Sequence, residues 1–180
     1  MIACLGWGSL VWKPDTLPTG EEWQNNGPQV RVEFLRQSKD GRMTLVLTDV
    51  GAWVPSYWVE LDVASLDAAV AALASREDTT PQNIGTWSNG VANPSPFIAN
   101  LDTWAQSVGA THVVWTDLPP KFGGVNEVVA THEQVIAHLK SLTGESAKLA
   151  EEYIERAPTE IRTPLRQLIE AELGWSPRNT

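Results

Sequence analysis

The chain has 180 residues, 42% of them hydrophobic and 19% charged, with a formal net charge of −9. That length suits one domain, residues 1–180, with a sizeable core, and the composition excludes a disordered chain. The acidic balance, with no cluster of Lys and Arg, argues against a nucleic-acid partner, and no apolar run approaches the ~18 residues of a membrane span.

Ile2-Ala3-Cys4-Leu5 reads as a short buried strand. Cys4 is the single cysteine, so no internal disulfide forms and a cytoplasmic location is expected. The N-terminus lacks the basic region of a secretory signal. Residues 13–29 are rich in Pro, Gly, Asn and Thr and read as an irregular connection. Val30 to Phe34 alternates apolar and charged residues, the mark of a half-buried strand. Asp40-Gly41 signals a hairpin turn, and Met43 to Thr48 is the returning strand. Trp53 to Leu61 reads as a third strand, with Pro55 marking an edge or a bulge, and the three together as a meander.

A helix follows, with Ser65 as N-cap and Leu66, Val70 and Leu73 on one stripe. Residues 81–99 read as a long loop around a short strand at 84–87, followed by a short helix over 101–108 and a strong strand at 112–116. Pro119-Pro120 and Gly123-Gly124 bracket an exposed loop. The part from about 131 to 180 is helical. Thr131 and Gln134 form a capping box, Gly144 ends that helix, Ser146 caps the next, and Thr163-Pro164 starts the last. Strands first and helices later give an α+β class: a small curled, mostly antiparallel sheet or barrel, flanking helices and a helical C-terminal extension. The nine tryptophans are mostly core candidates.

Two features carry chemistry. The first is the turn after the opening strand, Gly6-Trp7-Gly8-Ser9-Leu10, where a Gly-rich backbone can aim several N–H groups at an anion or a polarised carbonyl. It is not a dinucleotide fingerprint, because Val11 stands where the third glycine belongs and Pro14 follows where a helix should run. A tight turn without a ligand is the alternative. The second is Glu77, in the last turn of its helix and close to the apolar stripe, where a carboxylate needs a partner or a task. Burial and a helix C-terminus both disfavour the charged form of a carboxyl group, which suits one that moves protons. A frayed turn that leaves Glu77 in solvent, or an ion pair with a nearby arginine, is the structural alternative. His112, His132 and His138 lack metal-ligand spacing, with His132 and His138 expected as solvated helix residues.

Gly6-Trp7-Gly8-Ser9-Leu10-Val11-Trp12-Lys13-Pro14 resembles the Tyr-Gly-Ser-Leu segment that opens the gamma-glutamyl cyclotransferase superfamily, including its ChaC-like branch. Leu73-Ala74-Ser75-Arg76-Glu77 resembles the helix of that family that ends in Arg-Glu. Phe34 to Ser38 with Leu45-Val46-Leu47, the strand at 113–115 and Glu152-Tyr153 follow in a similar order. Trp7 stands where the family has Tyr, and residues 157–175 have no counterpart in it.

The resemblance implies a cyclotransferase. Its substrate is a small γ-glutamyl compound, cyclised to 5-oxoproline with no metal or organic cofactor. Glu77 is then the catalytic acid/base. Gly6, Trp7, Gly8, Ser9 and Leu10 bind substrate, and Arg36 is the candidate for its carboxylate. The expected state is a monomer or homodimer. The alternative is a non-catalytic member of the same fold that binds a small ligand or a protein.

Overall fold

A computed structural model describes residues 1–178 as an α+β protein with two mixed β-sheets and, among the described residues, five α-helices. Its contacts group into two compact units interleaved in sequence. The first is Met1–Val30 with Pro55–Leu118, and the second is Arg31–Val54 with the chain from Pro119 onward.

The first unit is built on β1 (Ile2–Gly6), all five residues of which are buried. Its sheet runs β5 (Tyr57–Glu60), β1, β7 (His112–Thr116), β6 (Ile84–Ser88). Only the β1–β7 pair is parallel, with Cys4 opposite Val114. Helix α1 (Leu66–Arg76) lies against one face of this sheet, where Leu73 and Ala74 meet Ile2, Cys4, Val59 and Val114. Leu10 enters the same core, so the turn after β1 is anchored by its own side chain.

The irregular stretch before residue 30 is stitched to β5. Gln24 and Trp58 exchange backbone hydrogen bonds of 2.8 and 2.9 Å. The Trp58 and Trp104 indoles meet edge to face at 5.7 Å, and both donate to Asn26. Trp104 belongs to α2 (Leu101–Ser107). The stitching also explains Gly6. A Cβ there would lie 2.7 Å from the Trp23 ring, so what approaches this glycine closely is an indole of the same chain.

The second unit carries β2 (Gln29–Gln37), β3 (Met43–Leu47) and β4 (Ala52–Pro55). A short hairpin of β8 (Lys121–Phe122) and β9 (Val125–Asn126) joins them in the order β3–β2–β8–β9, with β4 also on β2. Its helices are α3 (His132–Ser141), α4 (Gly144–Arg156) and α5 (Pro164–Leu173).

Several sequence expectations change here. The stretch 53–61 is two strands, not one. The chain breaks at Ser56, whose hydroxyl donates to the Pro28 carbonyl, so β4 pairs with β2 while β5 joins β1. The 119–127 loop contains the β8–β9 hairpin, turned by Gly123 and Gly124 at φ 60 and 82, a signal those paired glycines carried. Helix α4 starts at Gly144 rather than after Ser146, with Leu142 ending α3. His138 is not solvated, because its Nε2 lies 2.7 Å from the Gly41 carbonyl and its ring stands edge-on to Phe122.

The alternation in β2 also misplaces Glu33, which is fully buried. Thr163 Oγ1 and the Phe34 and Leu165 N–H groups all donate to its carboxylate, which sits at the N-terminus of α5. Nearby, Arg166 is 1% exposed and donates to four backbone carbonyls, those of Ile154, Ala157, Pro158 and Ile161, closing the end of α4.

Two outcomes follow from these contacts. Gly6→Ala forces Trp23 to move, and is expected to lower stability by about 1–3 kcal/mol in urea unfolding. Burial pushes the Glu33 carboxyl above its usual range, and its three donors only partly offset that. The stability it contributes is therefore full at acid pH and is lost as pH rises through the raised value. Unfolding midpoints from pH 4 to 8 should fall more steeply for the wild type than for Glu33→Gln.

Candidate functional site

The site lies within the first unit, where the end of β1 meets the end of α1. Beyond Gly6, the chain turns on two backbone hydrogen bonds, from Val11 N–H to the Gly8 carbonyl (3.0 Å) and from Lys13 N–H to the Ser9 carbonyl (2.8 Å). Among the described residues, the N–H groups of Gly8, Ser9 and Leu10 donate to no backbone carbonyl. They are the kind of donors that a polarised carbonyl or an anion can recruit.

Helix α1 begins where the sequence places it, with the Ser65 side chain accepting from Ala68 N–H. It ends in two closing bonds, Thr79 N–H to Ala74 and Asp78 N–H to Ser75, the double pattern that seals a helix C-terminus. The left-handed position this requires is filled by Asp78 at φ 48, where glycine is usual. Glu77 is thereby the C-cap residue, its N–H bonded to Leu73. It is not frayed into solvent, since its side chain is 16% exposed.

Arg76 assembles the site. Its side chain is 7% exposed, and its guanidinium reaches three acceptors. Nη1 donates to Glu77 Oε1 at 2.5 Å. Nη2 donates to Ser9 Oγ at 3.2 Å and to the Lys13 carbonyl. Residues 67 positions apart are thus held by one planar, rigid fork. The ion pair that the sequence left open is present, and it occupies only one carboxylate oxygen. Glu77 Oε2 accepts from no protein group among the described residues, so it is the oxygen left for a ligand's proton. The Ser9 oxygen accepts from Arg76, which leaves the Ser9 O–H to donate outward.

Cys4 lies under this cluster, fully buried. Burial pushes its thiol well above the ordinary range, the Glu77 carboxylate adds to that effect, and Arg76 partly offsets it. It stays a protonated, inert thiol, as its place in a buried strand suggests.

The remaining sequence candidates fall as follows. Gly6, Trp7, Gly8, Ser9 and Leu10 form one continuous turn leading out of β1. Trp7 is 5% exposed, its ring turned into the protein. Leu10 has its side chain in the core, so only its backbone is available to a ligand. Arg36 belongs to the second unit, where its guanidinium donates to the Pro119 carbonyl at 2.7 Å and to Asn126 Oδ1 at 3.3 Å. Lys13 was not singled out by the sequence, because its backbone rather than its side chain makes the contacts that bring it here.

No helix among the described residues is long and apolar enough to cross a membrane. No protein-family model and no curated protein matches the chain.

The clamp makes a stability prediction. Arg76→Met leaves a largely buried carboxylate without its cation and is expected to cost about 3 kcal/mol in urea unfolding. Adding Glu77→Gln to that variant should recover part of the loss, since the uncompensated charge is then gone.

Proposed function

We propose that this chain is a gamma-glutamyl cyclotransferase-like enzyme. It would convert a γ-glutamyl amine or peptide to 5-oxoproline and a free amine, with Glu77 as general acid/base. The observation that carries the reading is the Arg76 clamp. The two segments that resemble the family, residues 6–14 and 73–77, are distant in sequence and meet through one guanidinium. The α+β class is compatible with that family's curled sheet and flanking helices.

The chemistry asks little of the protein beyond orientation and proton transfer. The nucleophile is the substrate's own α-amine, which attacks the γ-carbonyl carbon and closes a five-membered ring. The α-ammonium must lose a proton before its nitrogen can attack, and a carboxylate held beside it can take that proton. Glu77 Oε2 accepts that proton. The carbonyl oxygen gains charge as the C–N bond forms, and the free N–H groups of Gly8, Ser9 and Leu10, with the Ser9 hydroxyl, are the donors for it. Collapse breaks the amide C–N bond, the proton held by Glu77 passes to the departing nitrogen, and the ring nitrogen, left with two hydrogens by the attack, gives up one to solvent to become the lactam N–H. Ser9 acts as donor and not as nucleophile, because its oxygen is engaged by Arg76 rather than by a base.

The test is 5-oxoproline release from a panel of γ-glutamyl dipeptides, γ-glutamylamines and glutathione. Wild type is expected to release it from at least one, and Glu77→Gln to lose about a hundredfold or more of that rate while remaining folded. No release from any compound by folded wild type would leave a non-catalytic ligand-binding or protein-interaction member of the fold as the better account.

A further inference from the structure

The distribution of charge points to a second recognition element in the same site. Of the thirteen lysines and arginines, only Lys13 and Arg76 lie in the first unit, against ten aspartates and glutamates. Arg76 and the Lys13 backbone both belong to the cluster described above, joined by the hydrogen bond from Arg76 Nη2 to the Lys13 carbonyl. Arg76 is committed, its guanidinium given to Glu77, Ser9 and that carbonyl. Lys13 is exposed, and among the described residues no carboxylate pairs with its ammonium. Its backbone is fixed on both sides, by its N–H to Ser9 and its carbonyl from Arg76, so its long side chain starts from a defined point beside Ser9.

We propose that Lys13 is the anion-binding residue of this site and that its ammonium holds a carboxylate of the bound γ-glutamyl compound. The inference rests on the cyclotransferase reading and supplies what that reading lacks. A γ-glutamyl head carries an α-ammonium and an α-carboxylate. Glu77 complements the first, and without a free cation the acidic unit would repel the second. The recognised carboxylate belongs either to the γ-glutamyl head or to an amino-acid leaving group, and the two are separable by experiment.

Isothermal titration of γ-glutamylglycine and γ-glutamylethylamide into Glu77→Gln, with and without Lys13→Ala, decides the matter without requiring turnover. Lys13→Ala is expected to weaken γ-glutamylglycine about tenfold, the loss of one charged hydrogen bond, and Lys13→Arg to restore most of it. Equal weakening of γ-glutamylethylamide assigns the contact to the α-carboxylate, and an unchanged ethylamide affinity assigns it to the leaving group. Unchanged affinity for both compounds, or no binding of either by the wild type as well as by Glu77→Gln, overturns the proposal. Lys13-dependent binding by a wild type that releases no 5-oxoproline would keep this inference and sink the enzymatic reading. Release from both compounds that is indifferent to Lys13→Ala would do the reverse.

Discussion

The site depends on one buried guanidinium. Removing a cation from water costs several kcal/mol, and Arg76 is stable where it is because three acceptors meet its two terminal nitrogens, while its buried Nε has no partner among the described residues. Those acceptors come from the end of α1, from a serine hydroxyl and from a backbone carbonyl. Satisfying the arginine therefore also fixes the helix end to the turn after β1. A lysine has the charge but not the planar fork, so it cannot serve Glu77, Ser9 and Lys13 together in one plane.

Comparison with the protein's other deeply buried arginine shows what is unusual about this one. Arg166 is even further removed from solvent, and it spends its guanidinium on four backbone carbonyls, with Glu170 3.8 Å from its Nε. That is the chemistry of closing a helix end. Arg76 instead holds a carboxylate and a hydroxyl, each with capacity left over, Oε2 in one and the O–H in the other. A structural arginine exhausts its partners. This one orients them, and the buried Cys4 thiol, which feels the charges of both Glu77 and Arg76, stays inert.

Much of this was legible in the sequence where local rules act alone. The Ser65 cap, the capping box of Thr131 and Gln134, and the strand at 112–116 depend on neighbouring residues, and they stand where the pattern puts them. Glu77 was legible for a related reason, as a carboxylate out of place on an apolar stripe. Long-range constraints were not readable. The alternation around Glu33 indicates a solvent face, and nothing nearby in sequence reveals that the start of α5 covers it. The stretch 53–61 has the composition of one strand, and only the contact between Ser56 and Pro28 divides it. The double glycine of 6–8 invites a ligand in sequence terms, whereas at Gly6 the close approach belongs to Trp23.

In a cyclotransferase the nucleophile belongs to the substrate rather than to water, and oxygen-18 labelling tests that directly. A γ-glutamyl compound that the protein consumes is incubated with it in H₂¹⁸O, and the acidic product is weighed by mass spectrometry. Intramolecular attack predicts 5-oxoproline with no ¹⁸O incorporated. Glutamate carrying one ¹⁸O would show that the same carboxylate activates water, and would contradict the cyclisation.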